Sequence, residues 1–166
     1  ITACDDQEII IHLWDPDGVD PSSVELRIND STYTTDDPRL VYDDSLEQLV
    51  FSPGEGYFEN EEIVTVTLVS ASDNLGNPMW DVLTWTFQVD LQAPQPRIVT
   101  PENGAMIRSN TPRIEVEITE NLAGIDEVSL VMYVNGVPYH PGEAGVEWHS
   151  GSPLEGTLVF DAQGAG

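Results

Sequence analysis

Gly18-Val-Asp-Pro-Ser-Ser-Val-Glu-Leu-Arg-Ile-Asn-Asp-Ser-Thr-Tyr33 decides the fold. A second version, Gly124-Ile-Asp-Glu-Val-Ser-Leu-Val-Met-Tyr-Val-Asn-Gly-Val-Pro-Tyr139, stands later in the chain at one offset and without a gap. In the first, Val24, Leu26 and Ile28 alternate with Glu25, Arg27 and Asn29. That period of two predicts a strand with one dry and one wet face. Leu130, Met132 and Val134 repeat the pattern, and the turn pairs Asn29-Asp30 and Asn135-Gly136 end both strands before Tyr33 and Tyr139.

The correspondence extends outward. Ile9, Ile11 and Leu13 match Ile114, Val116 and Ile118 with a one-residue difference in the loop that follows, and Leu49-Val50-Phe51 matches Leu158-Val159-Phe160. A period kept over this much chain marks two copies of one supersecondary unit. Further strands are expected at 40–42, 46–51, 63–69 and 82–89, separated by Gly, Pro, Asp and Asn turns, with no helix. Short strands with such punctuation predict an all-β protein of sandwich type. Asp90 to Pro96, with prolines at 94 and 96, reads as a stiff linker, because proline fixes φ and lacks an N–H. The expected domains are therefore residues 1–93 and 97–166.

The copies differ at their ends. The segment from Ile98 to Arg108, expected to hold a strand ahead of Ile114, has no partner in the first copy, whose own first strand is expected to be missing. The two strands that follow Phe51 have no partner after Phe160. The second sandwich is thus expected to be truncated by its last two strands, supplied either by a longer form of the chain or by another subunit through strand complementation.

Composition narrows the function classes. Thirty acidic residues face five arginines and no lysine, for a formal net charge of -25. A phosphate backbone or an anionic membrane surface requires clustered Lys or Arg, so no nucleic acid and no membrane insertion are expected. No apolar run reaches the roughly 20 residues of a membrane helix, and any export signal is expected outside this chain. Cys4 is the single cysteine, which excludes an intrachain disulfide or a cysteine zinc site.

Leu49-Val50-Phe51-Ser52-Pro53, Tyr57-Phe58, Glu62 to Leu68 with its Val/Thr alternation, and Ala71-Ser72-Asp73-Asn74-Leu75-Gly76-Asn77 together resemble the bacterial immunoglobulin-like domains of large exported surface proteins. The resemblance covers nearly all of the first copy and the second as far as it goes. It implies two tandem immunoglobulin-like β-sandwiches in an extracellular or cell-surface stalk, adhesin or filament, with neighbouring repeats as partners. It brings no catalytic residues.

Asp15-Pro16-Asp17-Gly18-Val19-Asp20 is the candidate metal site, because calcium takes six to eight oxygens from flexible loops. Asp15, Asp17 and Asp20 are its candidate ligands, with Asp5, Asp6 or Asp73 able to complete the shell; the second copy has Asn121 and Ala123 in place of Asp15 and Asp17. Asp36-Asp37 and Asp43-Asp44 read as solvated loop ends. His12, His140 and His149 follow no metal spacing, and no serine lies in Gly-x-Ser-x-Gly, so no enzyme is expected. Trp85 alternates with polar neighbours as a core residue does, whereas Trp14 and Trp80 fall at loop edges. Exposed aromatic faces there would suit a carbohydrate- or protein-binding accessory module.

Overall fold

A computed structural model describes residues 1–164 of the chain. The described residues are all-β apart from one 3-10 turn at Glu127–Ser129, and they form two compact units, Ile1–Leu91 and Gln92–Gly166.

The first unit is a sandwich of two antiparallel sheets. Strands β1 (Ile9–His12), β5 (Gln48–Phe51) and β4 (Leu40–Asp43) form one sheet in the order β1-β5-β4. Strands β2 (Val19–Ile28), β3 (Ser31–Thr34), β6 (Ile63–Asp73) and β7 (Leu83–Gln88) form the other, in the order β3-β2-β6-β7. Alternation decides what is buried. Leu26 faces Leu68 and Ile28 faces Val66 across the ladder, and these residues pack with Ile9, Ile11, Leu40, Leu49 and Phe51 of the opposing sheet in one core. Trp85 and Phe87 are half-buried against that core. A file of aromatics runs through it, with Phe51 against Tyr33 and Tyr57, and Phe58 against Tyr57 and Phe87. The Tyr33 and Tyr57 hydroxyls share a hydrogen bond, so the buried Tyr33 and the half-buried Tyr57 both pack on the core with their polar ends satisfied. Burial, then that bond, raises the Tyr57 pKa.

The second unit holds β8 (Gln95–Thr100), β9 (Arg113–Thr119), β12 (Val146–Ser152) and β13 (Glu155–Asp161) in one sheet of order β12-β13-β9-β8, and a hairpin of β10 (Met132–Val134) with β11 (Val137–Tyr139). Gln95 and Pro96 belong to β8 rather than to a linker. Pro96 lies opposite Ile118, and β8 is an edge strand, where proline is tolerated. Trp148 lies over Gly156, where a Cβ would fall 2.2 Å from the indole; only glycine leaves the backbone bare enough for that contact.

Registers correspond between the units. In the first, Phe51 lies between Ile9 and Leu40; in the second, Phe160 lies between Ile114 and Val146. Tyr33 packs on Phe51 with centroids 4.6 Å apart, and Tyr139 on Phe160 at 4.7 Å. Among the described residues, the second unit has no strands placed as β6 and β7 are in the first.

Candidate functional site

The ladder between β2 and β6 brings the candidate site together. Val19 pairs with Asp73, so the turn after β6 lies beside the loop that precedes β2. Carboxylate oxygens of Asp15, Asp17 and Asp73 lie within 4.8 Å of one another. Of the three carboxylates singled out in the loop, Asp15 and Asp17 join this group and Asp20 does not. Asp20 Oδ1 accepts from the Ser22 N–H at 2.9 Å and the Ser22 hydroxyl at 2.7 Å, a local turn that holds it away. Asp5 and Asp6 also lie outside the group.

Asp73 is the organiser. It is buried, and Oδ1 accepts from the Leu75 and Asn77 N–H groups at 2.9 and 2.7 Å, while Oδ2 accepts from Asn77 Nδ2 at 2.7 Å. The Asn77 side chain, then its backbone, holds this carboxyl below its ordinary pKa. The folded turn in turn closes the loop: Asn74 Nδ2 donates to the Asp17 carbonyl at 3.1 Å, and the Asn74 N–H to the Gly18 carbonyl at 3.1 Å. Gly18 has φ 78° and would place a Cβ 2.4 Å from Asn74 Nδ2, so a larger residue there would strain the left-handed backbone and push the Asn74 side chain aside.

Chemically, the cluster is a hydrogen-bonded turn whose three carboxylates also lie close enough together to share a cation. Both Asp73 oxygens and Asp15 Oδ1, which receives the Asp17 N–H at 2.9 Å, already accept hydrogen bonds. Asp15, Asp17 and Asp73 are the residues that could share a calcium ion, but the rest of the six to eight oxygens would have to come from water or carbonyls. A groove of about 150 Å³ adjoins them, walled by Trp14, Val19, Asn77, Pro78 and Met79. Trp14 is exposed and Trp80 is 101% exposed.

Many remaining carboxylates cap turns. Asp37, Asp43, Asp126 and Asp161 each accept from the backbone N–H two residues on, the Asx-turn geometry. Asp37 also takes a two-pronged ion pair from Arg39, at 3.0 and 2.8 Å, and that guanidinium pulls its pKa down to about 2. Arg39 lies 4.9 Å from the Tyr33 ring centre, a cation-π contact.

His140 and His149 both line a groove of about 660 Å³ in the second unit. His149 Nε2 lies 3.2 Å from Glu147, and neither histidine belongs to a metal-ligating group among the described residues.

One carboxylate was not singled out in the sequence. Glu120 is 8% exposed, its Oε2 accepts from the Leu122 and Gly124 N–H groups at 2.7 and 2.9 Å, and its Oε1 is buried without a hydrogen-bond partner. The Gly124 N–H, foremost, lowers its pKa. Counted along β9 from Ile114, Glu120 stands where Asp15 stands counted along β1 from Ile9.

Comparison with known proteins finds no match to the chain among family models, curated proteins or solved structures.

Proposed function

We propose that this chain is a non-enzymatic structural or adhesive segment of an exported protein, a tandem of immunoglobulin-like repeats in a stalk, surface fibre or filament. The observation that carries this reading is the matched register around Phe51 and Phe160, each flanked by the same two strand neighbours and capped by a tyrosine. One packing solution used twice in sequence is the economy of a module that gains length by addition. The acidic excess serves such a module in two ways. It keeps a chain with net charge -25 soluble and unaggregated in an extracellular setting, and its aspartates stiffen turns that carry no helix or disulfide.

Force spectroscopy on the chain tests the reading. The first unit, Ile1–Leu91, is expected to unfold in one step that releases a contour length of about 300 Å. A gradual extension with no discrete step would overturn a structural role. A second reading, an accessory module that binds a carbohydrate or a protein, is favoured by the bare Trp80 and by Trp14 beside the acidic groove. Saturable quenching of tryptophan fluorescence by a soluble glycan, lost in Trp14→Ala or Trp80→Ala, would replace the first reading with this one.

A further inference from the structure

Strands β8 and β12 stand at the two edges of the four-stranded sheet in the second unit, and they are built differently. β8 is guarded. Pro96 has no N–H to offer, and the ladder to β9 slips between Ile98 and Thr100; proline and a bulge are two devices by which proteins stop an edge from recruiting another strand. β12 carries no proline, and its ladder to β13 runs without a slip from Val146 to Ser150.

The turn before β12 shows which way its main chain points. The Val146 N–H donates to the Glu143 carbonyl at 2.9 Å, and the Val146 carbonyl accepts from the Gly142 N–H at 3.2 Å, so the Val146 main chain faces away from β13. Strand geometry repeats every two residues. Trp148 and Ser150 therefore aim their N–H and C=O groups the same way, beyond the reach of that turn, and β13 is the one strand paired with β12 among the described residues.

The groove of about 660 Å³ in this unit follows the same edge, since the consecutive residues from Val146 to His149 line it. Val128 and Trp148 give it apolar walls, while Glu127 and Glu147 give it carboxylates. Val128 is 83% exposed, and the Trp148 ring is seated on Gly156, so the apolar wall is both open and fixed. No lysine or arginine lines the groove. Arg97 and Arg113 of this unit pair instead with Glu117 and Glu115 on β9.

We propose that the β12 edge and this groove dock an extended, lysine- or arginine-bearing segment of a separate protein, which joins the sheet as a further strand. Its main chain meets the outward groups of Trp148 and Ser150. Alternate side chains are apolar and lie against Trp148 and Val128, and those between them are cationic and lie beside Glu147, an opposite-charge pair across the new ladder. A second copy of this chain is the poorer occupant, because two chains of net charge -25 repel one another. The inference stands on the second unit alone and needs neither the repeat reading nor a mechanical role.

The test titrates the whole chain with a synthetic eight-residue peptide that alternates lysine and valine, and follows amide shifts and hydrogen exchange. Binding is expected to saturate, and the Trp148 and Ser150 amides should exchange about tenfold more slowly. Glu147→Lys should weaken binding by about fivefold, whereas Asp44→Lys, an equal change of charge in the other unit, should leave it intact. The same peptide with alternate amides N-methylated keeps its charge but loses main-chain donors, and should give no protection. Absence of saturable binding, or equal protection by the methylated peptide, overturns strand addition. Equal binding by a glutamate–valine peptide, or equal weakening by Asp44→Lys, overturns the cationic specificity. Protection of Trp148 that rises with chain concentration in the absence of peptide overturns the assigned partner in favour of a second copy. None of these outcomes bears on the force experiment.

Discussion

Leu26 and Met132 hold the same place on the same kind of strand, yet the first is 0% exposed and the second 9%, and their surroundings differ more than those figures suggest. Leu26 belongs to a core of sixteen buried residues drawn from two full sheets; Met132 belongs to one of five, with Val134 and Leu130 only partly covered. An alternating strand supplies one apolar face, but how deeply that face is buried depends on the width of the sheet to which it belongs. β2 has neighbours on both sides and β10 on one. The largest expected effect follows directly: Leu26→Ala should destabilise the first unit by about 4 kcal/mol, whereas Met132→Ala should cost its unit about 2 kcal/mol, since a looser site forfeits fewer contacts and can relax. Denaturant unfolding with exchange resolved by unit measures both, and equal losses would break the comparison.

Two glycines sharpen it. Gly156→Ala puts a methyl into the Trp148 ring and is expected to cost the second unit about 2 kcal/mol through overpacking, read as loss of Trp148 near-ultraviolet dichroism. Nothing comparable awaits the first unit, where Glu47 holds that register place. Gly18 and Gly124 form a closer pair, with φ 78° and 87°. Alanine at either should cost about 1–2 kcal/mol for left-handed backbone. Only Gly18→Ala meets Asn74; Gly124→Ala meets the Pro153 carbonyl at 3.2 Å. Amide shifts at Asp73 to Asn77 should therefore move in Gly18→Ala alone, and a silent turn would show that Asn74 does not close the loop.

Much of this arrangement was legible in the residues. Alternation at Val24 to Ile28 and at Leu83 to Val89, and turns at Asn29 and Asn135, are local signals, and each fell on the strand or hairpin expected. The site was less legible because it is made by pairing. Asp20 lies nearer in sequence to Asp17 than Asp73 does, but only the β2–β6 ladder reveals that Asp73 arrives at the loop, and only the Ser22 hydrogen bonds reveal that Asp20 leaves it. Glu120 was hidden by the one-residue length difference. At the offset that aligns Gly18 with Gly124 it faces Trp14, and its kinship with Asp15 appears only when residues are counted from the paired Ile114. The linker reading extended two residues too far because Gln95 and Pro96 carry turn-like composition yet lie along β9, a partner that local sequence does not name.

The smallest expected effect concerns acid, and it separates the units by their charge pairs. Asp37, held near 2 against an ordinary 3.8 by Arg39, has a depressed folded pKa. Its contribution is therefore present in full above the unfolded value and is lost as pH falls from about 4 through 2. Both partners are on the surface, with side-chain exposures of 25% and 41%, so solvent screens the pair and the effect is modest. In the second unit the place of Arg39 is taken by Gly145 and that of Asp37 by Glu143, and Glu143 accepts instead from the His140 N–H. Lowering pH from 5 to 2 should then weaken the first unit partly through Asp37, and Asp37→Asn should flatten that limb of its curve while leaving the second unit's curve unchanged. Nuclear magnetic resonance titration of the Asp37 carboxyl supplies the check. A midpoint near 4 would show that the two-pronged pair with Arg39 does not persist in solution, and the stacking of that guanidinium on Tyr33 would then have to stand without it.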